Sequence, residues 1–170
     1  MYLITTGNKE RWKVDEEILF LGIWCLKNTD KKVLKNIKYK VLQHPWSNSS
    51  TLLKESRYLS KLYEIILEKL SYKLNEIHSI NWSKRQWRVF IGPWLHKMLE
   101  VTYERWRSID TATRLFDISD TQIKNISPKD IYTESYFDLR SKSMTEIWNQ
   151  NLYDLIIKYS SQIKYTFEEN

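Results

Sequence analysis

A chain of 170 residues with 42% apolar side chains is long enough for one hydrophobic core and too apolar to stay disordered. Its net charge of +6, from 27 Lys and Arg against 21 Asp and Glu, favours anionic neighbours: nucleic acid, an acidic membrane face or a phosphorylated substrate. The single cysteine, Cys25, excludes an internal disulfide and fits a reducing compartment.

Three compact apolar runs, Tyr2–Thr6, Ile18–Leu21 and Tyr39–Leu42, read as strands. Their apolarity is continuous rather than alternating, which fits strands covered on both faces of a parallel sheet. The eleven residues Gly7–Glu17 are near the minimum for a parallel crossover. Met1 to Thr6 runs straight into Gly7-Asn8-Lys9-Glu10, without the basic-then-apolar pattern of a secretory leader. No run is long and apolar enough for a bilayer span. The expected location is the cytoplasm or the inner face of the cytoplasmic membrane.

After Pro45 the pattern becomes helical. Leu59, Tyr63, Ile66, Leu70, Leu74 and Ile77 recur at steps of three and four, on one face of a helix opened by Asn48-Ser49-Ser50. Ser83-Lys84-Arg85-Gln86 has the form of a capping box. The helix that follows carries Trp87, Ile91, Trp94, Leu95, Met98, Thr102, Trp106 and Ile109. Gly92-Pro93 predicts a kink or break there, and a pocket beside it. Ser127-Pro128-Lys129-Asp130 reads as a further helix start. Ser143-Met144-Thr145-Glu146 reads as a capping box for a last helix bearing Trp148, Leu152, Leu155, Ile156 and Tyr159. Residues 1–164 form one domain in this reading, and the polar tail Tyr165–Asn170 is expected to fray. The fold class is α/β and helix-rich: a small N-terminal parallel sheet of about three strands, packed with long helices.

Three isolated glycines, Gly7, Gly22 and Gly92, cannot build a glycine-rich phosphate loop, so no cofactor-binding residues are assigned. His44, His78 and His96 are far apart and Cys25 has no partner cysteine, so no metal site is assigned. His44-Pro45-Trp46 follows the third strand, where open parallel sheets place their ligands. Thr5, Thr6 and Trp12 follow the first strand, and Trp24 the second. Trp24 and the threonines could equally close the core. Trp87 and Arg88 pair a flat apolar ring with a bidentate donor suited to sugar faces and phosphates, although Trp87 could simply begin the buried stripe.

The segments Leu3-Ile4-Thr5-Thr6, Trp12, Leu19-Phe20-Leu21-Gly22-Ile23-Trp24-Cys25 and His44-Pro45-Trp46 match one known family in order and approximate spacing. So do Tyr58-Leu59, Leu62-Tyr63-Glu64, Leu74-Asn75-Glu76-Ile77-His78, Arg105-Trp106 and Trp148-Asn149. The most specific string is Trp87-Arg88-Val89-Phe90-Ile91-Gly92-Pro93-Trp94-Leu95. With these segments the chain resembles a family of transferases encoded in bacterial surface-polysaccharide and lipopolysaccharide biosynthesis loci, first catalogued in spirochaetes.

That resemblance implies a glycosyltransferase of the two-domain GT-B type, with this chain as its N-terminal, acceptor-side part. The donor-binding C-terminal half would be missing, or supplied by a second polypeptide, and the chain would be inactive alone. A nucleotide-sugar donor is expected only with that half. By the same resemblance Thr5, Thr6, Trp12, Trp46, Trp87, Arg88 and Trp94 would bind a saccharide or phospho-saccharide acceptor. His44 would be the general base. The alternatives are a nucleic-acid-binding module, based on lysines 27, 31, 32, 35, 38 and 40, and a helical protein-interaction module. Nucleic acid is disfavoured because the aromatic residues sit on helical stripes rather than among those lysines.

Overall fold

The computed structural model describes residues 1–27 and 29–168. Strands form within the apolar runs: β1 (Tyr2–Ile4), β2 (Ile18–Phe20) and β3 (Tyr39–Val41). They are parallel, with Tyr2 opposite Ile18 and Ile18 opposite Tyr39. Every residue of β1 and β2 is buried, which accounts for their unbroken apolarity. A single 3-10 turn, Lys9–Arg11, completes the first crossover, with the Asn8 side chain as its cap. A four-residue helix, α1 (Lys31–Leu34), lies on the second.

Two further strands carry no apolar signature. β4 (Thr121–Ile123) and β5 (Tyr165–Phe167) pair in parallel, with Thr121 opposite Tyr165. A parallel bridge between Tyr2 and Asp120 joins them to β1; the Leu3 amide donates to Asp120 O at 3.0 Å and Thr121 Oγ1 to Leu3 O at 2.8 Å. The combined order is β3-β2-β1-β4-β5, that of a doubly wound sheet whose direction of winding reverses between β1 and β4. The tail expected to fray therefore pairs over Tyr165–Phe167; residues 169 and 170 of that expectation lie outside the described residues.

The helices α2 (Ser49–His78) and α3 (Lys84–Leu115) form a long hairpin. Asn48 caps α2 and the Ser83/Gln86 capping box opens α3, both as the sequence predicts. Asn75 fixes the turn between them: its side chain bonds both the amide and the carbonyl of Trp82 and accepts from Trp87 Nε1 at 2.9 Å. The predicted break at Gly92-Pro93 does not occur, and α3 runs through Pro93. Proline denies the Val89 carbonyl its helical partner. Val89 is 78% exposed, so water can replace that bond. Gly92 permits close approach of the two helices, since a Cβ there would lie 2.7 Å from the Tyr63 hydroxyl.

The first half of α3 packs Trp87 and Leu95 against Leu67 of α2 in a satellite core. Its second half inserts Val101, Ile109 and Ala112 into the main core with the sheet. Two short elements follow: a 3-10 turn at Pro128–Ile131, where Ser127 and Asp130 make a capping box, and α4 (Tyr136–Lys142). The last helix, α5 (Glu146–Ser160), is capped by Thr145 rather than by Ser143. Ser143 instead ends α4, its hydroxyl donating to Arg140 O.

Candidate functional site

A cavity of about 420 Å³ opens at the carboxyl ends of β1, β2 and β3, the position that ligands occupy in open parallel sheets. Thr6 and Gly7 follow β1 into it, Trp24 and Lys27 follow β2, and His44 follows β3. The opposite wall is Glu104 and Arg105 from α3, with Thr145, Glu146, Asn149 and Tyr153 from the start of α5. Its size lies within the ~300–1,000 Å³ range of small-molecule sites.

The indole of Trp24 forms one flat side. It lies over the end of β1, with Nε1 donating to Thr5 O at 2.9 Å. Gly22 makes room for it, since a Cβ on that residue would stand 2.1 Å from the Trp24 ring. Cys25 beneath is fully buried, and desolvation pushes its thiol up to about 12. It is therefore packing material rather than a nucleophile.

His44 and Glu104 form the central polar pair. The Trp46 amide, which can only donate, bonds His44 Nδ1 at 3.1 Å. The imidazole proton therefore sits on Nε2, which donates to Glu104 Oε1 at 2.9 Å. Burial, with the nearby Arg105 charge, holds His44 below its ordinary value, so the ring is neutral at physiological pH. Glu104 is 6% exposed; it also accepts from Ser108 Oγ at 3.3 Å, and its Oε2 faces the Arg105 guanidinium. Arg105 is braced in turn. Its Nε and Nη2 donate to Asn149 Oδ1 at 3.0 and 2.9 Å, and it lies 5.9 Å over the Tyr153 ring. Asn149 spends its amide hydrogens on the carbonyls of Ser143 and Thr145. The chain His44–Glu104–Arg105–Asn149 thus couples the end of β3 to the turn before α5 with every member held.

The crevice between β1 and β4 is filled by the protein itself. Arg11 reaches from the first crossover and donates to both oxygens of Asp154 at 2.9 and 2.7 Å, and also to Glu168. The Lys124 amide at the end of β4 adds a third bond to Asp154, at 2.9 Å. Arg11 is 5% exposed and Asp154 fully buried. Burial alone would lower the guanidinium, but its bonds to Asp154 and Glu168 outweigh that and hold it above its ordinary value. The point at which doubly wound sheets commonly cradle a phosphate is thus stoppered by a buried ion pair, and the open cavity lies on the β1–β3 side.

Of the residues singled out in the sequence, the structure brings Thr6, Trp24 and His44 to the cavity wall. Thr5 is buried directly behind Trp24. Trp12 packs on Phe20, with ring centroids 4.8 Å apart. Trp46 stands beside His44 but turns its Nε1 to Glu55 at 2.7 Å. Trp87 is 3% exposed inside the helical hairpin. Arg88 is locked to Glu64 at 2.6 and 2.7 Å, and Trp94 donates to Thr133 Oγ1 at 2.8 Å. Neither Trp12, Trp46, Trp87, Arg88 nor Trp94 lines the cavity. Sequence reasoning missed Glu104, saw Lys27 only as part of a basic cluster and Glu146 only as part of a capping box, and saw Arg105 and Asn149 only as matching positions. The available signal was the placement of Glu104 and Arg105 on the helix facing the strand ends, which no local pattern reveals.

Among the described residues no group of three or more His, Cys, Asp and Glu side chains is placed to hold a metal. Among the described residues no helix is long and apolar enough to cross a membrane. Of the basic cluster, Lys38 and Lys40 lie 3.6 and 4.0 Å from Glu17. Comparison with curated proteins and with solved structures gives no match. One family model does match, from residue 1 to residue 170, and its description is LIC12162 family transferase. The chain accordingly belongs to the LIC12162 family of transferases.

Proposed function

We propose that this chain is the acceptor-side part of a glycosyltransferase of bacterial surface-polysaccharide assembly, acting at the cytoplasmic face with a donor half supplied elsewhere. The cavity at the strand ends receives a saccharide or phospho-saccharide acceptor. The observation that carries this reading is the half-buried His44 paired with the buried Glu104 at the carboxyl end of β3, beside an indole face and the cations Lys27 and Arg105. An aromatic face accepts the apolar side of a sugar ring. The cations offset an acceptor's negative charge.

His44 and Glu104 act together on the acceptor hydroxyl. For His44 to be the base, Nδ1 must first release the Trp46 amide. Glu104 must likewise turn an oxygen away from His44 or Arg105; a proton taken by its carboxylate then lets the acceptor oxygen attack the donor carbon as the nucleoside diphosphate leaves. His44 then holds that carboxylate in place. The direct test titrates residues 1–170 with N-acetylglucosamine 1-phosphate and follows amide NMR shifts. Shifts at Gly7, Arg105 and Asn149 are expected, with no turnover of UDP-N-acetylglucosamine. Shifts confined to lysines 31, 32 and 35 that vanish with salt would favour non-specific anion binding instead. Robust turnover would overturn the acceptor-side assignment.

A further inference from the structure

The cavity does not end at the turn before α5. Ser143 and Met144 line it, and the same two residues line a groove of about 1000 Å³ that runs between α3 and α4. The floor of the groove includes Pro93 and His96 of α3, and its far bank is Tyr136, Phe137 and Arg140 of α4. Three features of the groove are unusual for plain surface. Phe137 and Met144 are 76% and 85% exposed. The exposed Phe137 ring is braced edge to face against Tyr136, with centroids 5.5 Å apart. The Arg140 guanidinium has no hydrogen-bond or ion-pair partner among the described residues, although Lys97 and Lys142 nearby are engaged by Glu100 and Asp138.

We infer that this groove is an extended subsite for the further sugars of an anionic oligosaccharide whose end occupies the cavity. The inference rests on the acceptor reading above and adds its length and charge. Ser143 and Met144 belong to both the cavity and the groove, so a chain too long for the cavity has a path over that shared wall. Beyond that wall it meets the exposed Phe137 ring and an unpaired guanidinium suited to a carboxylate or phosphate substituent.

The test uses hyaluronan disaccharide and hexasaccharide, with chitohexaose as an uncharged chain, measured by calorimetry and by NMR shifts on residues 1–170. The hexasaccharide is expected to bind roughly tenfold or more tighter than the disaccharide, shifting Met144 and Phe137 as well as Gly7. Arg140→Ala and Phe137→Ala, both exposed positions, should each remove that gain and leave disaccharide affinity unchanged. Equal affinity for the two lengths, with shifts confined to the cavity, would overturn the subsite while leaving the acceptor reading intact. An equal gain with chitohexaose would overturn the anionic assignment. Failure of both lengths to perturb the cavity would remove the acceptor reading, and this inference with it.

Discussion

The helical hairpin and the strand-end cavity are both rich in aromatic and charged side chains, yet they use them in opposite ways. In the hairpin, Trp87 fills a small core and Arg88 closes on Glu64 across the helix pair. Its conspicuous residues are consumed by packing two long helices. In the cavity, Trp24 is fixed by one bond to Thr5 O and keeps a face toward open space, and buried polar groups are braced around a void. A tryptophan or arginine thus marks a site only when the surrounding structure leaves part of it unspent.

Replacing Trp87 by Ala should destabilise the chain by about 3–5 kcal/mol, as for large aromatic deletions in cores. The measurement is urea denaturation. The folded remainder should still bind a cavity ligand, and loss of that binding in fully folded protein would break the separation of the two regions. Gly22→Ala acts from the other side. The rigid Trp24 ring cannot accept a methyl group at 2.1 Å, so overpacking should cost about 1–3 kcal/mol and displace the indole, read as a shift of the Trp24 Nε1–H resonance.

Glu104→Gln keeps the shape of the pair and removes its charge. It should weaken ligand binding by about tenfold, or about 1.4 kcal/mol, with a smaller effect on urea stability. The smallest expected effects are in pH dependence, where the regions titrate in separate windows. His44 is lowered in the folded state, so its contribution is present above its ordinary value of 6.5 and is lost as pH falls below it. Glu64 is held down to about 2 by Arg88 and Lys84. Its contribution is present above 4.5 and fades only as pH drops from there toward 2. His44→Asn should flatten the first window and Glu64→Gln the second; a variant that flattens both would show the regions to be coupled.

The fold was legible where burial writes itself into sequence. β1 and β2 are covered on both faces and read as apolar runs, and α2 and α3 carry stripes and caps that name their ends. β4 and β5 were not, because Thr121-Gln122-Ile123 buries one apolar side chain in three residues and Tyr165-Thr166-Phe167 is exposed, so neither leaves an apolar run. The site divides in the same way. His44 could be found from its place after a strand. Its partner Glu104 lies 60 residues away and Asn149 is 44 residues from Arg105, pairings that only the folded backbone creates. Trp87 and Arg88 lie in the helix interface, because side chains suited to sugars are equally suited to packing two helices.

The stopper between β1 and β4 has a consequence for how the molecule is made. Arg11 grips Glu168 across 157 residues, and Thr121 reaches Leu3 across 118. A ribosome delivers the middle strand of the sheet first and the outermost strand last. The hairpin can zip up from neighbouring residues during synthesis, while β1 waits with one flank bare until β4 arrives. Closure of the sheet is therefore the late and slow event, and the nascent chain is most vulnerable to misassociation just before β4 and β5 emerge.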